Sequence, residues 1–218
     1  MPKRFDLIVF DWDGTLANST QMITDCVRAA STDAGLAMPE PGAASHVIGL
    51  GLYEAIDVLF GKISETQRQR MAERYRYHYH VRDEETPLYD GVFEAIGELE
   101  KQGFMLAVAT GKGRNGLNRS LALSGLAKYF HATRCMDECL SKPHPQMLLE
   151  LMDELGALPE HTLMIGDTSF DLQMAQNANV SSVGVSYGAH PLANLLPHVP
   201  LEHFDQFTKL NQWLIKYA

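Results

Sequence analysis

The sequence predicts an α/β fold in which parallel strands carry helices on both faces, with a helical insert after the first strand. Three observations predict it. Short apolar runs alternate with helical patterns along most of the chain, the signature of a parallel sheet crossed by helices. Several of these runs end abruptly in carboxylate, hydroxyl or glycine residues, where open α/β sheets place their chemistry. Residues 17–85 break the alternation, offering helical patterns and no convincing strand.

The first strand is Leu7-Ile8-Val9-Phe10, a β-branched and aromatic run flanked by polar residues. It leads into Asp11-Trp12-Asp13-Gly14-Thr15-Leu16. In extended backbone Asp11 and Asp13 leave on the same side. Packed that closely they repel unless a cation or a proton lies between them. Helices are expected next at 20–34, with Ser19 as N-cap, at Leu52–Phe60 and at 65–81. Pro39-Glu40-Pro41-Gly42 and Thr86-Pro87 mark turns within this stretch and at its exit. Val92–Lys101 reads as a helix, and 105–109 as a strand running into Thr110-Gly111-Lys112. Ser141-Lys142-Pro143-His144-Pro145 sets a lysine before a proline-opened helix, Gln146–Leu155. Helix N-termini favour anions, and a lysine beside one strengthens that preference. A strand at 163–165 runs into Gly166-Asp167-Thr168-Ser169-Phe170-Asp171, followed by a helix at 170–178 and a strand at 182–185.

The 218 residues, 45% of them hydrophobic, suffice for a large core without metal or disulfide staples. Charged residues interrupt every apolar run, so no membrane span is expected. Met1-Pro2-Lys3-Arg4 leads into the first strand without a signal-peptide pattern. The odd count of cysteines (Cys26, Cys135, Cys139) suits reduced thiols in the cytoplasm. A net charge of −9 disfavours nucleic acid as a partner but allows a small anion held by local cations.

Together the four polar segments resemble the haloacid dehalogenase superfamily, specifically its helical-cap phosphatases similar to phosphoglycolate phosphatases. Asp11-x-Asp13-Gly14-Thr15-Leu16 resembles the first family motif, Thr110-Gly111 the second, Lys142-Pro143 the third, and Gly166-Asp167 with Asp171 the fourth. The resemblance implies a Rossmann-like catalytic core at 1–16 and 86–218 with a helical cap at 17–85. It implies a phosphatase for a small phosphorylated metabolite, with Mg²⁺ as cofactor, as a monomer or small homo-oligomer. Asp11 would attack phosphorus and form an aspartyl-phosphate, and Asp13 would serve as acid and then base. Thr110 and the Gly111 amide would hold phosphate oxygens, and Lys142 would neutralise charge shared by Asp11 and phosphate. The Asp11 side chain, the Asp13 carbonyl and the Asp167 side chain would hold Mg²⁺, with Asp171 an indirect or exchangeable ligand. The aspartate at position 13 is shared by the family's phosphatases and missing from its dehalogenases. Leu16-Ala17-Asn18-Ser19 and Thr110-Gly111 depart from the commoner Leu-x-Asp-Ser and Thr/Ser-Asn. The alternatives are a phosphosugar mutase of β-phosphoglucomutase type and a non-catalytic phosphometabolite-binding protein.

Four further features are expected to be structural or auxiliary. The basic and aromatic run at 68–82 reads as a cap helix with aromatics packed and arginines in solvent; the alternative is stacking on RNA. Cys135-x₃-Cys139 is a weak metal pattern without a second pair. His46 and Gly49-Leu50-Gly51 are an interhelical turn or a close backbone approach to the core or substrate. Lys112 and Arg114 either add charge at the pocket mouth or are solvated.

Overall fold

A computed structural model describes residues 4–82 and 86–218; the first three residues and the expected end of the insert at residue 85 lie outside them. The described residues hold one parallel sheet of six strands: β1 Leu7–Phe10, β2 Met105–Thr110, β3 Ala132–Cys135, β4 Thr162–Gly166, β5 Ser181–Val185 and β6 His203–Phe204. Their order is β3-β2-β1-β4-β5-β6. Helices α1 Thr20–Asp33, α2 Pro41–His46, α3 Leu52–Phe60, α4 Glu65–Arg82 and α5 Val92–Lys101 lie between β1 and β2. Then α6 Arg114–Ser124 follows β2, α7 Gln146–Leu155 precedes β4, and α8 Ser169–Asn177 joins β4 to β5. Helices α9 Leu192–Leu195 and α10 Phe207–Tyr217 bracket β6.

β1 is apolar at every position because it is the inner strand, paired with both β2 and β4 and covered on both faces. Ile8 and Phe10 join one core cluster with α5, α6 and α10; Leu7 and Val9 join the other with α7 and α8. This Rossmann-like core reverses its strand order at β1. The crevice therefore opens at the carboxyl ends of β1, β2 and β4, where Asp11, Thr110 and Asp167 lie.

Helices α1 to α4 share an apolar cluster of their own, built on Ile23, Val27, Ala30, Ile56 and Met71. The long helix α4 starts where Ser64 and Gln67 bond reciprocally, the Gln67 amide donating to Ser64 Oγ (3.2 Å) and the Ser64 amide to Gln67 Oε1 (3.3 Å).

The structure departs from the sequence reading in several places. Pro41–His46 is a short helix, with Pro41 in its first turn, where a turn was expected. Ser19 occupies the N-cap of α1 but its hydroxyl bonds Ala17 O instead of capping. β3, β6, α6, α9 and α10 are additional elements.

Candidate active site

The ends of β1 and β4, the start of α8 and the loop before α7 bring together a buried carboxylate–lysine centre. Asp11 leaves the end of β1 with its amide bonded to Ile165 O at 2.9 Å, which fixes it between β1 and β4. Asp11 Oδ1 accepts from the Trp12 amide at 2.7 Å and pairs with Lys142 Nζ at 2.8 Å. Lys142 also reaches Asp171 Oδ1 at 2.6 Å. Lys142, Asp167 and Asp171 are buried almost completely, and Asp11 is 1% exposed. Asp11 Oδ2 is buried with no hydrogen-bond partner.

Asp167, at the end of β4, is held by two donors: Thr15 Oγ1 to its Oδ1 at 2.8 Å, and the Ala189 amide to its Oδ2 at 2.7 Å. Gly14 lies against the same carboxylate in a left-handed conformation (φ +84°), and a Cβ there would collide with it. Asp171 Oδ2 accepts from the Thr168 amide (3.0 Å) and hydroxyl (2.7 Å), closing the capping box that starts α8. Asp171 is thus positioned by its own helix start.

One oxygen from each of Asp11, Asp167 and Asp171 lies within 4.8 Å of the others. A single ammonium, Lys142, faces these acids. Burial raises the Asp11 carboxyl well above the ordinary range, and the Asp171 and Asp167 charges push the same way against Lys142. Burial and the Asp171 charge push Asp167 up to about 7. Burial works against the Lys142 ammonium, but Asp11 and Asp171 outweigh it and hold its pKa above the usual value. Buried charge without compensation is costly. A hard divalent cation fits this all-oxygen set of three buried carboxylates.

Asp13 Oδ1 also has no hydrogen-bond partner; its nearest cation is Lys112 Nζ at 3.6 Å. Lys112 is 8% exposed and touches the Tyr79 hydroxyl of α4, so it lies at the site and not in solvent. Thr110 Oγ1 accepts from the Lys112 amide at 3.1 Å, which leaves its own proton to donate. Asp11, Asp13, Thr110, Gly111 and Lys112 open into one cavity of about 600 Å³, whose other walls come largely from α1, α3 and α4.

The Gly49-Leu50 segment is a close approach. A Cβ on Gly111 would lie 2.7 Å from Gly49 O and 2.9 Å from Leu50 O. The Gly51 amide donates to Ser141 Oγ at 2.8 Å. His46 stacks on His190 with ring centroids 4.6 Å apart, and His190 Nε2 donates to His46 O at 2.9 Å.

The 187–190 loop after β5, which no sequence motif marks as part of the site, supplies the Ala189 amide and His190. Its one signal is Gly188 just past a strand end; a Cβ there would collide with Asp167. In α4, Arg70, Arg76 and Arg82 are exposed as expected, while Arg68 pairs with Asp57 (2.8 Å) and Arg74 with Asp33 (2.7 Å) at partly buried positions. Tyr75 and Tyr79 face the cavity. Arg114 pairs with Glu138 at 2.6 Å. Cys135 is buried beside β2, and Cys139 Sγ contacts Glu150.

A family model described as haloacid dehalogenase-like hydrolase matches residues 8–185. A Dickeya dadantii protein named probable phosphatase IndB is 33% identical over 210 residues, covering 94% of this chain and 91% of that protein. A Bacillus mycoides protein named pyrophosphatase PpaX is 30% identical over 209 residues, covering 95% of both. A solved structure described as a predicted phosphoglycolate phosphatase from Haemophilus somnus superposes with a TM-score of 0.85 at 26% identity, covering 97% of this chain and 99% of that one. A Pseudomonas syringae hydrolase structure reaches 0.89 at 21% identity, with 99% of each chain covered, a likeness of fold alone.

Proposed function

The chain belongs to the haloacid dehalogenase-like hydrolase family, and on that premise we propose that it is a Mg²⁺-dependent phosphatase acting on a small phosphorylated metabolite. The observation that carries this reading is Asp11: buried, held through Oδ1 by Lys142 and the Trp12 amide, with Oδ2 unpartnered. Asp11 Oδ2 attacks phosphorus, the bond from phosphorus to the leaving oxygen breaks, and an aspartyl-phosphate forms. Asp13 gives its proton to the leaving alkoxide, then takes one from the water that attacks phosphorus and returns the Asp11 carboxylate. Thr110 and the Gly111 amide hold phosphate oxygens, and Lys142 offsets the charge gathered on Asp11 and the phosphoryl group. The metal would be held by the Asp11 and Asp167 carboxylates and the Asp13 carbonyl, with Asp171 supporting through Lys142. When bound, Mg²⁺ supplies charge stabilisation to the phosphoryl oxygens.

The insert, in its described residues 17–82, acts as a cap over the site and excludes bulk water during the reaction; Ile23, Leu52 and Tyr79 of it line the cavity. The likeness to the Haemophilus somnus structure makes phosphoglycolate the reference substrate, and the setting is cytoplasmic. The test is phosphate release from a panel of phosphomonoesters, with Mg²⁺ and with EDTA, for the unaltered protein and Asp11→Asn. Mg²⁺-dependent release that disappears in Asp11→Asn is the expected result. An isomerised sugar phosphate without phosphate release would point instead to the mutase, and tight ligand binding without turnover to a sensor.

A further inference from the structure

Residues 45–51, from the end of α2 to the start of α3, rest on core residues that hold the site's carboxylates. The Ser45 hydroxyl donates to Ala189 O at 3.1 Å, and the Ala189 amide donates to Asp167 Oδ2 at 2.7 Å. One core residue thus takes the insert on its carbonyl and Asp167 on its amide. Beside it, His190 Nε2 donates to His46 O at 2.9 Å, and the His190 amide donates to Asp167 O at 3.3 Å.

The same segment lies against the holder of a second carboxylate. Gly49 is in the left-handed region (φ +97°), and a Cβ there would lie 3.1 Å from Thr168 Oγ1. Thr168 gives both its amide and its hydroxyl to Asp171 Oδ2. The Gly51 amide donates to Ser141 Oγ at 2.8 Å, next in the chain to Lys142. Asp11 opens into the chamber that α1, α3 and α4 wall, so seating the insert takes water from it. Carboxylates deprived of water and facing Lys142 are costly, and a bound cation relieves that cost. Carboxylates fixed by outer partners also hold a metal more tightly.

We propose that residues 45–51 position the metal site, so that seating the insert on the core and binding a divalent cation favour each other. Ser45 and Gly49 are positioning residues: they act through Ala189 on Asp167 and through Thr168 on Asp171. The effect is reciprocal. A cation bound more tightly when the segment is seated must hold the segment seated by the same factor. This rests on the Mg²⁺-dependent reading of the site and deepens it, since the cation then draws the insert onto the core.

The test follows amide hydrogen exchange residue by residue, in EDTA and in saturating Mg²⁺. The Gly51 amide reports the seat because its partner is Ser141, whereas the Ala55 amide donates to Gly51 O within the insert. Saturating Mg²⁺ is expected to slow exchange at Gly51 about fivefold or more, and to slow it less at Ala55. Ser45→Ala combined with Ser141→Ala removes both hydroxyl tethers and should weaken Mg²⁺ binding, read by calorimetry, about fivefold. If that variant does not fold, exchange in the unaltered protein still decides. No slowing at Gly51, equal slowing at Gly51 and Ala55, or unchanged Mg²⁺ affinity in the folded double variant overturns the linkage and leaves the Mg²⁺-dependent phosphatase standing. No Mg²⁺ binding to the unaltered protein overturns both.

Discussion

At the residue scale, the site is a balance between three buried carboxylates and one ammonium. Removing Lys142 leaves Asp11 and Asp171 uncompensated, and breaking a buried pair in this way costs about 3–5 kcal/mol. Lys142→Met is therefore expected to melt well below the unaltered protein and to lose about 10²–10³ in kcat; thermal melts and phosphate release check both. Asp167 makes a pH-dependent prediction. Its pKa is about 7 in the folded protein, above the ordinary carboxylate value of about 3.9. Between those values the folded state binds more protons than the unfolded one, so metal-free stability falls as pH rises from about 4 to about 7. In Asp167→Asn the amide nitrogen can donate to Thr15 while its oxygen still accepts from Ala189, so only the charge is lost. In EDTA this variant should gain on the unaltered protein between pH 5 and pH 8, and added Mg²⁺ should raise its melting temperature less. Parallel melting curves across that range would contradict the account. Asp11 and Asp167 were legible in the sequence because each follows a strand end, whereas Lys142 and Asp171 were legible only through their spacing from those motifs. The donors that orient Asp167 were less so, since a backbone amide such as that of Ala189 leaves no mark in composition.

At the scale of elements, the fully apolar strand β1 and the periodic helices α5 and α7 announce themselves. β3 does not: Thr133 and Arg134 are half-buried on an outer position, and Arg134 serves Glu150 and Glu154 of α7. β6 is two residues at the sheet edge, below the length at which alternation is readable. Helix α10 did carry a signal in Phe207, Leu210 and Leu214, spaced i, i+3 and i+7. The seam between α2 and the core is invisible to periodicity, because it depends on His190 from a loop. His190 Nδ1 accepts from the Ser169 amide at 3.0 Å while Nε2 donates to His46 O. Burial lowers its pKa, so its contribution to stability is present above the ordinary value of about 6.5 and is lost as pH falls below it. Hydrogen exchange, corrected for intrinsic rates, should show weaker protection of the Ile48 amide at pH 5.5 than at pH 7.5. Equal protection would remove the seam's dependence on neutral His190. Gly111→Ala should act at the same seam: its Cβ presses on the Gly49 and Leu50 carbonyls. Overpacking of this kind costs about 1–3 kcal/mol, to be read from denaturant midpoints.

At the scale of the whole molecule, the strand order β2-β1-β4 gathers groups from residue 11 to residue 190 into one crevice, and the helices of the insert supply much of the chamber around it. Net charge is −9, yet Lys112 and Lys142 face the carboxylates and Arg76 and Arg119 line the cavity. An anion thus meets local cations within an acidic molecule. The central claim is that phosphate passes through Asp11 on its way to water. The measurement that tests it most directly is acid quenching during turnover of a ³²P-labelled ester with Mg²⁺, followed by peptide mapping. Label on the peptide containing Asp11, base-labile and missing in Asp11→Asn, is the predicted result. Sustained release of labelled phosphate with none on that peptide, or with release intact in Asp11→Asn, would contradict it.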